Sequence, residues 1–381
     1  MNGVIYAITA SIMSETESGI NIDISQRIRA FNVTSDYSSY IFPVSYIDVY
    51  LSIEEFRTVS MHDIEIVMSL KKLKINDKAK QLIESSDYIF KDKIFEVVNE
   101  DNLIIQQSSA NRNTEQASLL HCRFVMMPKE DISANKINMF GNYVDCDLGN
   151  VVSYAVGKLN QEKKTVIQDP HNTKIYDQIL VPFNTVLRNL VYLDTVYGIY
   201  KHGLKLFMDF NINYILDRNK NEIDGYTNLI SINVTDSNET INPEILPNTI
   251  KLPTSNMSFV KNNKAKKEYI GTDVNSIIPT DDIMKISKTN YSDNKTKVYY
   301  QTYSNPYTSN SLNPNNDTLV KVVCSNADIS YMNFVNSYVI NIATKEFDGI
   351  EFNLTNYSNK FIKTAQGYYE LQSLMTLRKI V

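Results

Sequence analysis

This 381-residue chain has few residues of the types that form metal, catalytic or phosphate-binding sites. It has four histidines, three cysteines and 11 glycines, and it has no tryptophan. The cysteines, Cys122, Cys146 and Cys324, are odd in number and far apart, which argues against a disulfide framework and a CxxC metal site. Free thiols are typical of a chain that folds in a reducing cytoplasm. The glycines are isolated, and no GxGxxG, Walker A or GxSxG motif occurs, so we expect no nucleotide chemistry.

Strong charge of either sign is also missing. The chain has 38 basic and 43 acidic residues, a formal net charge of −5. This balance gives no attraction to phosphate backbones or anionic membranes, so we expect no nucleic-acid partner. Residues 1–19 lack a basic region, and their apolar run is short and interrupted by Ser and Thr. We therefore expect neither a signal peptide nor a membrane span.

The four histidines, His62, His121, His171 and His202, offer little for metal binding. The only metal-like spacing is His62 with Glu65, and no third ligand lies nearby. We interpret all four as surface histidines or as hydrogen-bonded core histidines.

A second metal candidate is the segment Asp217-Arg218-Asn219-Lys220-Asn221, which opens like an EF-hand calcium loop. Position six of that loop is Glu222 where glycine is needed, and position twelve is Asn228 where a bidentate glutamate is needed. A solvated turn between strands is the preferred interpretation.

The sequence also contains no convincing set of catalytic residues. The acid pairs Glu54-Glu55 and Asp281-Asp282 could serve a glycosidase only at a defined separation in space, and adjacency in sequence does not supply one. Tyrosines such as Tyr40, Tyr46 and Tyr50 alternate as sheet residues, which favours core and interface roles. We predict no catalytic, cofactor-binding or metal-binding residue and no enzymatic activity.

From residue 20 to about residue 127, apolar residues recur at every second position, as in Ile20 to Ile24 and Ile64 to Leu70. This period predicts antiparallel strands, each with one solvated face. So many short strands would leave exposed edges unless they close, so a β-barrel or closed sandwich is expected. The further strand candidates are Val44–Leu51, Tyr88–Phe90, Ile94–Val98 and His121–Met127.

Between about residues 129 and 200 the period becomes helical. One stripe runs from Leu148 to Leu159, with Asp147 at its N-terminal end, where negative charge suits the helix dipole. A second helix is predicted after Pro182 and ends at Gly198. The turn at Lys201 to Gly203 then leads into strands at Leu204–Phe210 and Tyr214–Leu216.

The C-terminal part contains a polar tract from about residue 236 to 317, whose composition is typical of a linker or a disordered segment. Its short apolar runs Ile250–Leu252, Tyr269-Ile270 and Lys297–Tyr300 leave open an inserted β-hairpin or an arm ordered by a partner. Further strands are predicted at Leu229–Val234, Leu319–Val323, Tyr338–Ala343, Ile350–Leu354 and Gly367–Leu377.

Three segments give the chain a resemblance to the baseplate hub proteins of contractile phage tails, including T-even and Mu-like hubs and the hub modules of type VI secretion spikes. The segments are Ile22-Asp23-Ile24-Ser25 through Ser45, Gly141-Asn142-Tyr143 leading to the helix at Leu148, and Pro182 to Tyr214. The resemblance implies a mainly β fold with α+β elements, in which a small α/β module (129–203) joins two tube-type β-barrel domains (1–128 and 204–381). The polar tract departs from the family's pattern.

The same resemblance implies a structural role in the virion. Such a hub is a homotrimer whose six barrels form a pseudo-sixfold ring between the tail tube and the central spike. Its partners are then further copies of itself, the spike protein, tube or tube-initiator proteins and neighbouring baseplate proteins, and it assembles in the host cytoplasm. No cofactor is implied.

Two other classes of function remain open. A tail-tip receptor-binding or adhesin protein would use the Tyr- and Asn-rich surface, and a fibrous, repetitive C-terminus would favour it. A cell-wall hydrolase would need an acid pair in a cleft, or a Cys/His or metal set.

Overall fold

The computed structural model describes residues 4–14, 19–37, 41–76, 81–83, 87–98, 106–107, 119–159, 163–218, 228–235, 248–261, 268–269, 288–290, 297–299, 305, 307, 318–325, 327–342 and 349–380. Over these residues the chain is mainly β, with short 3-10 helices and four α-helices. The α-helices are α1 (Ile53–Met61), α2 (Lys129–Lys136), α3 (Leu148–Val156) and α4 (Val186–Tyr197).

The described residues form 24 strands. The first twelve are β1 (Ile5–Ser14), β2 (Asn21–Asp23), β3 (Ile28–Asp36), β4 (Val44–Leu51), β5 (Ile64–Asn76), β6 (Gln81–Ile83), β7 (Tyr88–Val97), β8 (Gln106–Gln107), β9 (Leu120–Pro128), β10 (Asn138–Asp147), β11 (Lys164–Ile167) and β12 (Ile175–Thr185). The others are β13 (Leu204–Met208), β14 (Ile212–Asp217), β15 (Leu229–Thr235), β16 (Thr249–Pro253), β17 (Met257–Lys261), β18 (Glu268–Tyr269), β19 (Lys288–Asn290), β20 (Lys297–Tyr299), β21 (Thr318–Ser325), β22 (Ser337–Asn341), β23 (Glu351–Lys363) and β24 (Tyr369–Lys379).

The first of two compact units comprises Met1–Ile132, Ile223–Phe259 and Val320–Arg378. Its strands form one sheet in the order β16-β15-β22-β23-β3-β4-β9-β7-β5-β1-β24-β21-β17. Because β23 also pairs with β24, the eight strands from β23 through β1 to β24 form a closed circuit of hydrogen-bonded neighbours. Five of these strands, β3, β4, β5, β7 and β9, lie between residue 20 and residue 128, where the period of two predicts closure.

Aromatic side chains fill the core of this circuit. Phe361 on β23 stacks on Phe31 of β3 at 5.7 Å between ring centroids, and Tyr6 of β1 meets Phe361 edge-on at 5.0 Å. All three are almost fully buried. Edge-on and stacked pairs of this kind add about 0.5–1.5 kcal/mol each beyond the area they bury. The circuit is therefore joined across its core as well as along its ladders.

The second unit comprises Ser133–Glu222, Val260–Leu319 and Lys379–Val381. In it, β10 and β12 pair as an antiparallel ribbon, while β14 lies between β13, which is antiparallel, and β11, which is parallel. The predicted helix at Leu148 is α3, and Asp147 caps it by accepting a hydrogen bond from the Asn150 N–H.

The predicted second helix is α4, but it begins later than expected. Its N-cap is Thr185, whose hydroxyl accepts from the Arg188 N–H, and Pro182 lies inside β12 instead of in the first helical turn. The helix ends at Gly198, in the left-handed region (φ 72°), as its sequence predicts. Pro182 is tolerated in β12 because it lies at a bulge, where the ladder does not require a backbone N–H donor.

Prediction and structure also differ elsewhere: β1, β10, β11 and β12 were not predicted as strands. The candidates Tyr88–Phe90 and Ile94–Val98 form the single strand β7, and α1 was not predicted at all. Ile250–Leu252 belongs to β16 of the large sheet, whereas Tyr269 and residues 297–299 lie in the small sheet β18-β20-β19. Much of the polar tract at 236–317 lies outside the described residues, and the division into domains 1–128, 129–203 and 204–381 stays a prediction.

Candidate interaction surface

The metal-like pair His62 and Glu65 does not form a site. His62 caps the C-terminal end of α1, and the Glu65 carboxylate instead accepts a hydrogen bond from Lys129 Nζ at 2.6 Å. Burial and the facing Glu96 carboxylate raise the pKa of Glu65. Among the described residues, no group of three or more His, Cys, Asp or Glu side chains has a geometry that could hold a metal ion.

The acid pair Glu54-Glu55 lies in the first turn of α1. Ser52 and Glu55 form a reciprocal capping box, since the Glu55 N–H donates to the Ser52 hydroxyl and the Ser52 N–H donates to the Glu55 carboxylate. Arg27 donates to the same carboxylate at 2.6 Å. The pair therefore shapes a helix start. Asp281-Asp282 and Tyr40 lie outside the described residues.

Two of the histidines converge on one buried carboxylate, which sequence spacing did not predict. The Asp217 side chain is fully buried, with Nδ1 of His202 at 3.1 Å and Nδ1 of His171 at 3.3 Å. Asp217 also accepts from the His202 N–H, and its own N–H donates to Gln168 Oε1. These bonds tie the turn before β13 to the end of β14. Residues 219–227 of the loop resembling an EF-hand lie outside the described residues, and Asn228, its position twelve, donates through its N–H to Asn336 Oδ1.

Asp194 organises the other side of the same turn. Its carboxylate accepts from the N–H groups of Ile199, Tyr200 and Leu204 at 3.1, 3.2 and 2.7 Å. Burial raises its pKa, although these three hydrogen bonds and Arg218 act in the opposite direction. The role of Asp194 is to satisfy backbone donors, and nothing in this geometry indicates catalysis.

The thiols and the remaining tyrosine candidates also occupy structural positions. All three cysteines are free, and burial raises the pKa of Cys122 to about 11 and that of Cys324 to about 12, so neither thiol is activated. Tyr46 and Tyr50 lie on the sheet strand β4, partly covered by Arg123 and His121.

The candidate interaction surface is one face of the β10–β12 ribbon. Along β10, Phe140, Asn142 and Val144 are exposed, whereas Met139 before them is buried and Gly141 and Tyr143 between them are half-buried. Along β12, Leu180 lies opposite Asn142, and Gln178 lies opposite Val144. We call this the ribbon face and define it as Phe140, Asn142, Val144, Gln178, Leu180 and Phe183.

A β-bulge brings the two phenylalanines of the ribbon face together. The register changes from Gly141 opposite Val181 to Met139 opposite Asn184, which adds one residue to β12. Phe183 thereby faces Phe140, with 5.6 Å between ring centroids. The two are 73% and 68% exposed. Large apolar side chains grouped on one solvated face are typical of protein–protein contacts.

Hydrogen bonds hold this bulge in place from the buried side. Asn189 of α4 is fully buried, and its Nδ2 donates to the carbonyls of Met139 at 2.8 Å and Pro182 at 3.1 Å. The inward side chains Ile179 and Val181 are buried. The ribbon face therefore rests on a fixed support. The ribbon face was not predicted because the helical period of residues 129–200 obscured the alternation of exposed and buried residues within β10.

Comparison with solved structures shows which fold this is. The tail protein from Neisseria meningitidis MC58 is similar with a TM-score of 0.50 at 9% identity, over 98% of this chain and 96% of that one. The 43 kDa tail protein of prophage MuSo2 from Shewanella oneidensis gives 0.49 at 8% identity, over 98% and 96%. The E. coli c3393 protein, a component of the type VI secretion system, gives 0.43 at 9% identity, over 97% and 77%.

The fold is thus that of a tail protein. The search of the curated proteins finds no match. Residues 3–380 match the family model of the bacteriophage PBS1 gene 109 protein, and the chain belongs to that family. This family and the similarity to a tail protein agree with the resemblance to baseplate hub proteins. Within the described ranges, no helix combines the length and apolar character that crossing a membrane requires.

Proposed function

We propose that this protein is the central baseplate hub of a phage tail, a structural component of the virion. The observation that carries the proposal is the fold match to a tail protein along 98% of the chain. In this proposal the closed circuit of eight strands is one of two tube-type barrels. The hub joins the tail tube to the central spike and acts through shape and contacts, without catalysis.

The hub forms a homotrimer in this proposal, so that two barrels from each chain produce a pseudo-sixfold ring. A threefold ring requires two different patches of each subunit to meet, and each patch needs apolar area to bury. The ribbon face supplies such area, and its support by Asn189 keeps it ordered before contact. We propose that a second copy of this chain covers it.

Light scattering coupled to size exclusion, with negative-stain imaging of the peak, tests this proposal. A ring with three times the mass of 43.7 kDa is expected, either for the purified protein or after addition of the spike protein. A compact monomer under both conditions would contradict the hub assignment and reopen the adhesin and hydrolase alternatives.

A further inference from the structure

A recess of about 340 Å³ lies on the face of strands β23, β3, β4 and β9 in the first unit. Its lining includes Arg29, Asp48, His121, Arg123 and Lys360. Three permanent cations thus face one carboxylate, in a chain whose net charge is −5. The recess is therefore positively charged, although the chain as a whole has a net negative charge.

The strand register explains why there is space between these side chains. Ala30 lies between Ile362 on one side and Asp48 on the other, and Asp48 lies opposite Arg123. Ala30 has the smallest side chain among these neighbouring residues, so its methyl group forms the base of the recess. A bulge between Ile28 and Ala30 adds Arg29 to β3 as an extra residue, which places a second guanidinium at the rim.

The single carboxylate of the recess is already satisfied. Arg123 donates to Asp48 through Nε at 2.7 Å and through Nη2 at 3.0 Å, a bidentate pair. Asp48 is only 5% exposed, so it does not offer its charge to solvent. The Arg123–Asp48 pair therefore forms a wall of the recess and leaves the other cations uncompensated.

Three donors remain for a ligand. Arg29 and Lys360 are exposed and have no ion-pair partner among the residues that the structure describes. The Nε2 atom of His121 is enclosed and has no partner within hydrogen-bond distance in the same part of the chain, and the nearest carboxylate oxygen, Oδ1 of Asp48, lies 3.8 Å away. Enclosed polar atoms without a partner are uncommon in folded proteins and call for an explanation.

We propose that this recess binds an oxyanion, either a carboxylate or a phosphate group, between Arg29, Lys360 and His121. Guanidinium and ammonium groups form short, charge-assisted hydrogen bonds with such groups. The volume is in the range of small-ligand pockets, so it accommodates an oxyanion together with its carbon stem. The source is either a free small anion or an acidic side chain of a protein partner.

Isothermal titration calorimetry on the full chain at fixed ionic strength tests the site. The probes are inorganic phosphate, N-acetylglutamate and a hexaglutamate peptide. We expect the double variant Arg29→Gln/Lys360→Gln to bind every probe that the parent binds at least about tenfold more weakly, because two charge-assisted hydrogen bonds are lost. The control is Arg57→Gln/Lys321→Gln, which removes the same charge from exposed positions elsewhere in the unit and should change affinity less than about twofold.

The probes also identify the source of the anion. Tighter binding of hexaglutamate than of N-acetylglutamate and phosphate would assign the site to an acidic segment of a protein partner. Equal or tighter binding of the small anions would assign it to a free anion. Equal losses in the two double variants, or no binding of any probe to the parent chain, would overturn the proposal. Unchanged circular dichroism of all variants would show that the substitutions leave the fold intact.

Discussion

At the scale of single residues, the end of α4 depends on a close approach from far along the chain. Gly198 has a positive φ, and a Cβ on it would lie 2.2 Å from Oδ1 of Asn305. Asn305 in turn donates through Nδ2 to the carbonyls of Asp194 and Thr195. The helix end is thus sealed by a side chain more than 100 residues away, and only glycine leaves room for it.

We expect Gly198→Ala to lower the free energy of unfolding by about 2–3 kcal/mol, because it combines backbone strain with displacement of Asn305. Gly157→Ala is the matched control, since Gly157 follows α3 in a right-handed helical conformation and its Cβ would meet only ordinary contacts at 3.4 Å or more. Urea unfolding followed by circular dichroism measures both. Equal effects of the two substitutions would contradict this role of Gly198.

Lys205 makes stability depend on pH. Burial in β13, together with nearby Arg218, lowers its pKa to about 7, well below the value of about 10.4 in an unfolded chain. At pH values between about 7 and about 10, Lys205 binds more protons in the unfolded chain than in the folded chain. The contribution of Lys205 to the free energy of unfolding therefore rises with pH over this range. We expect Lys205→Met to stabilise the protein more at pH 6 than at pH 9.5, measured by urea unfolding. A gain that is the same at both pH values would contradict this account.

At the scale of elements, the β10–β12 ribbon and α4 stabilise each other through Asn189. We expect Asn189→Ala to cost about 2 kcal/mol, because buried carbonyls at the bulge lose their donor. Asn142→Ala, at an exposed position of the same ribbon, should cost less than about 0.5 kcal/mol. Chemical unfolding gives both values, and the role assigned to Asn189 fails if the two costs are alike.

The elements that sequence predicted well are those whose signals are local. The helix α4 has an apolar stripe and ends at Gly198, and α3 has Asp147 as its cap, so both were found. Helix α1 was missed because only Val59 of it is buried, which leaves almost no apolar stripe, although Ser52 and Glu55 carry the capping-box signature.

Features that depend on distant partners could not be predicted. The convergence of His171 and His202 on Asp217 follows from the pairing of β13 with β14 and from the turn before β13, and no spacing in the sequence encodes it. The oxyanion recess depends on registers among four strands, two of which are β3 and β23. A period of two tells which side chains share a face, but it does not tell which strand lies beside them.

At the scale of the whole molecule, the ribbon face tests the proposed homotrimer. We expect Phe140→Ser/Phe183→Ser to shift the mass measured by light scattering from trimer towards monomer, because it removes two large apolar side chains from the proposed contact. Met61→Ser/Leu229→Ser is the control, since both positions are exposed and apolar but lie outside the ribbon face. Unchanged mass of the Phe140/Phe183 variant would exclude this face as the subunit contact.

The closed circuit of eight strands has a consequence for the order of folding. Its closure needs β1 to pair with β24, as in Tyr6 opposite Tyr369, across more than 360 residues. Contacts of such sequence separation form late and slow folding. During synthesis on the ribosome, β1 is complete long before β24 is made. In contrast, β10, β12, α3 and α4 lie close together in sequence. The unpaired edge of β1 then resembles an aggregation-prone strand, so recombinant yield should depend on growth temperature and on chaperone supply.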